Sequence, residues 1–347
     1  MNRVRFRDPR WCLILGFLAI LGVVPLAQVA LETRQGDGIR MFDVFSQAPT
    51  ASNLRAYEHS MEEVNWAARA SRPWMQWAQF AWLGDGGAKA ALGRDGWYFY
   101  KPGVQYSLGR SEAASTTPPS TTAAAVARDP LPAIVDFRDQ LQALGIQLVV
   151  MPVPNKESIY PDRLTARAAG RTGVMAPRTR ELMERLREAR VEVIDLFEAF
   201  TQARQTTGPG AAPDLYLAQD THWSPAGMTL AARTAARRLV ELGWVRPGAV
   251  EYDAKPAPVQ RLGDIVRMLQ SPPIEARVRP ETVACEQVFR RDNGRLFEEA
   301  VDAEVLVVGD SFLRIYQRDE PGTAGFIAHL GRELRQPLIS LVNDGGG

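Results

Sequence analysis

Two cysteines in 347 residues leave little room for sulfur chemistry. Cys12 lies in an apolar run and Cys285 stands alone in the remainder, so the soluble part can form neither an intramolecular disulfide nor a cysteine metal cluster. Histidine is nearly as scarce. His59, His222 and His329 are the whole supply, which restricts imidazole acid–base chemistry to three positions. No second His or Cys sits at ligand spacing from His222, so no metal site is expected. Neither charge dominates: Lys+Arg 41 and Asp+Glu 40 almost cancel, and the small positive excess vanishes once the arginines of the first ten residues are set aside. A nucleic-acid partner is therefore not expected. Gly-x-x-x-x-Gly-Lys and Gly-x-Gly-x-x-Gly, whose backbones cradle nucleotide phosphates, are both missing, and no cofactor is expected.

What the chain does have is a 46% hydrophobic composition, enough to bury one large α/β domain or two smaller ones. Its N-terminus decides the compartment. Arg3, Arg5, Arg7 and Arg10 precede Trp11–Leu31, a stretch without charges that at about 20 residues is long enough to cross a bilayer as a helix. Positive residues before the apolar run keep the N-terminus in the cytoplasm and send the rest across the membrane. Ala27-Gln28-Val29-Ala30 fits a cleavage site poorly, so an uncleaved signal anchor is expected over a cleaved signal peptide.

Domain organisation follows from composition shifts: an anchor over 1–31, a helical, aromatic-rich region over 32–92, and an α/β domain over 93–347. Residues 50–83 read as an amphipathic helix carrying Tyr57, Trp66, Trp74, Trp77, Phe80 and Trp82. At helical spacing these are expected to pack into a core, a platform for sugar rings being the alternative. His59 is expected on its surface. Gly93 to Tyr100 reads as a turn into an aromatic strand. The Ser-, Thr-, Pro- and Ala-rich segment 110–128 reads as a mobile loop. From Pro130 onward, helices over Pro132–Leu144 and Ala176–Arg190 alternate with strands over Gln147–Val153, Val191–Leu196, near Val305 and over Pro337–Val342, which predicts a parallel sheet with helices on both faces. Trp244–Asn293, rich in Pro and Arg, is expected to be an irregular insertion that contributes to a substrate groove. The ending on Gly-Gly-Gly directly after a strand suggests that a final helix lies beyond it.

The chemistry concentrates in two places. Asp220-Thr221-His222-Trp223-Ser224-Pro225 holds a carboxylate two residues before an imidazole, and residues i and i+2 of an extended segment project to one side. Ser224 as N-cap and Pro225 at the first helical position start a helix that runs to a C-capping Gly243. Some ninety residues later, Val305-Leu306-Val307-Val308 runs into Gly309-Asp310-Ser311, which places Ser311 at the carboxyl edge of a buried strand. A serine becomes a nucleophile when an imidazole takes its proton and a carboxylate holds that imidazole in the right tautomer. Ser311, His222 and Asp220 are the candidates for those three roles. Asn155 and Lys156 share the same sheet edge after Pro152-Val153-Pro154. Lys156 is a candidate contact for an anionic sugar or a nearby acid, or a solvated lysine; Asn155 is a candidate oxyanion donor or a turn residue. Asn343, closing the last strand, is a further candidate oxyanion donor. His329 is expected in a helix.

Asp220-Thr221-His222-Trp223-Ser224, Gly309-Asp310-Ser311-Phe312, Gly96-Trp97-Tyr98-Phe99-Tyr100, Pro152-Val153-Pro154-Asn155-Lys156 with Ile159-Tyr160-Pro161, and Leu262-Gly263-Asp264-Ile265 with Met268-Leu269 occur in this order. Together they resemble the alginate O-acetyltransferase family, AlgJ and AlgX types, over roughly Asp95 to the C-terminus. The resemblance implies an SGNH-hydrolase-like domain in which the Asp/His motif precedes the serine motif, the reverse of ordinary SGNH hydrolases. It also implies a periplasmic enzyme that moves acetyl groups onto hydroxyls of an exported polysaccharide, with Ser311 as nucleophile, His222 as base and Asp220 as orienting acid. The implied partners are the polysaccharide acceptor, a membrane-bound acyltransferase that supplies acetyl groups, and the inner membrane through the N-terminal helix. The chain's length suits the AlgJ-like form, without an added carbohydrate-binding module. Two alternatives stay open: a carbohydrate esterase using the same triad, and a non-catalytic polysaccharide-binding assembly subunit.

Overall fold

The computed structural model describes residues 9–36, 38–109, 129–207 and 214–343. The segment 110–128, expected to be a mobile loop, and the terminal glycines lie outside them. Contacts divide the chain into two units, 1–82 with 271–273, and 83–270 with 274–347.

The first unit is helical. The helix Pro9–Gln35 contains Trp11–Gln35, 25 residues long and so long enough to cross a membrane, with a mean hydropathy of 2.4 over an 18-residue apolar stretch of which only 6% is buried. The expected helix over 50–83 is two helices, Ala51–Val64 and Trp66–Leu83. They part at Asn65, whose extended backbone ends the first while its side chain accepts from the Ala68 amide at 3.0 Å and starts the second. No residue of either helix is buried, which corrects the expectation of an aromatic core here. His59 is exposed, as expected, beside Glu63.

The second unit is α/β. β1 (Ala90–Leu92) and β2 (Tyr98–Tyr100) form an antiparallel hairpin turned by Asp95 and Gly96, both at positive φ. β3 (Val149–Val150) and β4 (Glu192–Val193) pair in parallel, flanked by the helices Leu131–Ala143 and Pro177–Glu188. Antiparallel pairing joins β5 (Tyr252–Pro256) to β8 (Glu286–Arg290) and β6 (Val259–Arg261) to β7 (Glu281–Val283). β9 (Leu306–Gly309) and β10 (Ile339–Val342) are parallel. The expected parallel strands are present but hydrogen-bond as two short pairs. The stretch 244–293, expected to be irregular, instead holds β5 to β8; runs of three to five residues are too short for a period of two to declare itself.

Packing explains the site's rigidity. The helix Pro225–Glu241 begins at the Ser224 N-cap, whose hydroxyl accepts from the Gly227 amide at 3.2 Å, and ends before Gly243 at φ +69°. Its buried face, Met228, Ala231, Ala232, Ala235, Ala236 and Leu239, repeats at helical spacing and lies against the helix Phe326–Leu334. Small side chains let the two helices approach closely. Trp223, fully buried, stacks on Phe326 at 5.6 Å, so the residue after His222 is anchored in the core.

Candidate active site

Ser311 opens the short helix Ser311–Arg314 directly after β9, with the Asp310 carboxylate capping the Phe312 amide at 2.9 Å. The Asp220 loop is folded back on itself by a bridge between Tyr216 and Trp223, by the Ser224 amide on Leu215 O at 3.0 Å, and by the Leu217 amide on His222 O at 3.3 Å. Folding brings the two segments together. His222 Nε2 lies 2.9 Å from Ser311 Oγ and His222 Nδ1 2.6 Å from Asp220 Oδ1. Asp220 and His222 are buried and Ser311 is half-buried. With Nδ1–H donating to Asp220, Nε2 is left as the acceptor for the serine proton.

Asp220 has more partners than its neighbour. Oδ1 also accepts from the His222 amide at 3.1 Å, while Oδ2 accepts from Arg261 Nε at 2.9 Å and the Asp264 amide at 3.2 Å. Burial by itself would raise this carboxyl, but the hydrogen bond and charge of His222 and the Arg261 guanidinium outweigh it and hold Asp220 well below the usual carboxylate range. A carboxylate that stays ionised keeps the imidazole oriented. Asp264 supplies a second acid, with Oδ2 3.5 Å from His222 Nδ1, and is pushed up by burial and by the Asp220 charge. One ligand atom each from Asp220, His222 and Asp264 lies within 4.8 Å of the others, close enough for a cation. In the present arrangement both His222 nitrogens are engaged, and Arg261 provides positive charge beside Asp220.

Charged side chains grip the backbone of this loop from three sides. Glu281 accepts from the amides of Ala218 and Gln219 at 2.9 and 2.6 Å, and Asp264 accepts from the Thr221 amide at 2.7 Å. Lys156 Nζ donates to Tyr98 O at 2.6 Å, Ala218 O at 2.8 Å and Asp220 O at 3.0 Å. These three bonds use all three ammonium protons, and the cation also lies 4.9 Å from the Trp97 ring and 5.1 Å from Phe99. Lys156 is thus buried in a clamp on the Asp220 loop, which corrects its reading as a contact for an anionic sugar or a solvated lysine. Burial pushes it down to about 7, against the pull of Glu281, Asp220, Asp264 and Glu157.

Asn155 turns its amide onto Glu157 Oε1 at 2.9 Å. Asn343 is exposed and gives its backbone N–H to Gly309 O at 3.0 Å, at the same strand edge as Ser311. Buried His329 bonds Glu286 O at 3.1 Å through Nε2, and burial lowers its pKa.

Arg261, Asp264 and Glu281 were not read as site residues in the sequence, although Leu262-Gly263-Asp264-Ile265 was legible as a motif. Its glycine has a steric reason. A Cβ at Gly263 would lie 2.0 Å from Gln219 O and 2.2 Å from its carbonyl carbon, while the backbone (φ −64°) is one that any residue adopts. Gly263→Ala is therefore expected to destabilise the fold by about 1–3 kcal/mol through overpacking and to displace the Asp220 loop. Thermal unfolding together with acetyl-ester turnover checks this; an unchanged Tm with full turnover would contradict it.

Residues 90–347 match the family model described as "SGNH hydrolase-like domain, acetyltransferase AlgX". Among curated proteins, the chain is 26% identical over 282 residues to a probable alginate O-acetylase AlgJ of Pseudomonas putida, which covers 78% of this chain and 66% of that protein. It is 24% identical over 217 residues to a probable alginate O-acetylase AlgJ of Pseudomonas fluorescens, covering 60% and 51%. The chain thus spans between half and two thirds of the length of these relatives. Among solved structures it is similar to the O-acetyltransferase domain of Pseudomonas putida AlgJ, at 22% identity and a TM-score of 0.54 over 75% of this chain and 81% of that one. It is also similar to Pseudomonas aeruginosa AlgX, at 20% identity and a TM-score of 0.52 over 74% and 56%. At these identities the structural likeness establishes the shared α/β fold.

Proposed function

Since the chain belongs to the AlgX-type SGNH hydrolase-like acetyltransferase family, we propose that it transfers acetyl groups through an acetyl-serine to hydroxyls of an exported polysaccharide. The hydrogen-bonded line Asp220–His222–Ser311 carries this reading. His222 Nε2 takes the proton of Ser311 Oγ as that oxygen attacks the acetyl carbonyl, and imidazolium returns the proton to the leaving group of the donor. A sugar hydroxyl then gives its proton to His222 and attacks the acetyl-serine; the O-acetyl sugar departs as the imidazolium returns that proton to Ser311 Oγ, restoring both groups. Asp220 orients the imidazole and stabilises its charged form, and the Ser311 amide is the oxyanion donor closest in sequence.

The relatives named as alginate O-acetylases make a uronate polymer the first acceptor to try. The arginines preceding the apolar helix favour an inner-membrane anchor with the α/β unit on the exported side. There, a membrane-bound acyltransferase would hand acetyl groups to Ser311. The test is mass spectrometry of the protein incubated with an activated acetyl ester, with and without oligouronate. Expected are an acetyl adduct confined to the Ser311 peptide and its discharge onto the sugar. Discharge to water alone, unaffected by acceptor, would make the protein an esterase. A protein that never acquires the adduct would be a binding subunit.

A further inference from the structure

The aromatic side chains of the first unit lack the core expected for them. In the helix Trp66–Leu83, Trp74, Met75 and Trp82 are 63%, 60% and 77% exposed. Left in water, such a face would be among the least favourable surfaces the chain could present.

The start of this helix is tied to the apolar helix. The Trp66 amide donates to Gln28 Oε1 at 2.9 Å, Trp66 Nε1 to Val24 O at 3.4 Å, and Gln28 Nε2 to Val64 O at 3.5 Å. Charge first appears in the apolar helix near its C-terminal end at Glu32, a buried side chain that accepts from Gln28 Nε2 at 2.9 Å and from the Arg40 amide at 3.2 Å. At about 1.5 Å per residue, Trp66 therefore lies roughly 6–12 Å inside that end, the depth at which headgroups give way to acyl chains. Along the helix, Arg69, Arg72, Gln76 and Gln79 fall in one stripe of roughly 80° at 3.6 residues per turn. Trp66, Trp74, Trp77 and Trp82 lie outside it. A tryptophan-rich apolar face beside a narrow polar stripe with arginine is the pattern of a helix that lies in a membrane surface, since an indole favours the headgroup level and arginine reaches water and phosphate.

We infer that Trp66–Leu83 is a membrane-interface helix that seats Trp74 and Trp82 in the outer leaflet beside the apolar helix. This rests on the proposed anchor reading. The occupant of the exposed face is phospholipid, and continuity with an apolar helix that is itself almost wholly exposed favours lipid over a sugar chain.

The experiment uses the full chain in phospholipid nanodiscs that contain lipids nitroxide-labelled near the glycerol, comparing the protein with its W74F/W82F variant. The emission lost in the variant reports those two indoles. Expected is a roughly twofold or greater quenching of that difference emission by nitroxide lipid, with little effect of aqueous iodide. Quenching by iodide and not by lipid would overturn the inference, as would resistance to both quenchers, which would mean that protein covers the two rings. Quenching that changes only when oligosaccharide is added would assign the face to sugar and also overturn it. Alkaline carbonate extraction separates the two levels: release from membranes removes the anchor itself, whereas retention with iodide-accessible indoles removes only the interface helix.

Discussion

Ser311→Ala is expected to lower acetyl transfer by on the order of 10⁴-fold or more while leaving Tm within a few degrees of the parent. In the proposed mechanism the hydroxyl carries the acetyl group, whereas its structural contribution is one half-buried hydrogen bond to His222. The magnitude follows from cooperation between the parts. His222 without the hydroxyl has no proton to move, and the hydroxyl without His222 is a weak nucleophile, so the His222→Ala/Ser311→Ala pair is expected to be scarcely slower than either single variant. Additive losses would mean that the two residues act in separate steps. Acetyl-ester turnover and oligouronate acetylation, measured on the same preparations, provide the readout. A Ser311→Ala protein that still acetylates the oligouronate would sink the covalent route through this serine.

Much of this site was legible in the sequence because its parts are local. The Asp220–His222 spacing, the Ser224-Pro225 helix start and the strand running into Gly309-Asp310-Ser311 are short-range signals, and each is present in the structure, although that strand, expected to be buried, leaves Leu306 and Val308 exposed. The clamp was not legible for the opposite reason. Lys156, Glu281 and Asp264 reach the loop from positions 43 to 64 residues away in the chain, and nothing near Lys156 announces that three carbonyls will converge on it. A charged residue after a strand reads as exposed, because burying an ammonium is unfavourable unless the fold supplies acceptors for it. The aromatic helices misled in a related way: helical spacing reveals that a face is apolar but not which solvent meets it.

Replacing Lys156 with methionine tests the clamp and has the second largest expected effect. Methionine keeps the unbranched length but takes the Lys156 donor away from the carbonyls of Tyr98 and Asp220 in a buried site, while Ala218 O keeps the Tyr98 amide at 2.8 Å. Each unsatisfied acceptor costs about 1–3 kcal/mol, partly offset because no ammonium is desolvated, so a net loss of about 2–4 kcal/mol is expected. The pH dependence has a definite sign. Folded Lys156 titrates at about 7, below its ordinary 10.5, so between these values the unfolded chain holds a proton that the folded chain has released. Stability from this group therefore rises with pH across that window, by at most about 1.4 kcal/mol per unit, and is flat below it. Lys156→Met removes the slope, so its deficit relative to the parent should widen from pH 7 towards pH 10 in urea unfolding. Activity gives the independent readout: a loosened Asp220 loop lets the imidazole drift from Ser311, and kcat is expected to fall by roughly 10–100-fold with KM little changed. A variant with parental kcat and a deficit that does not vary with pH would show that Lys156 fills space without holding the loop.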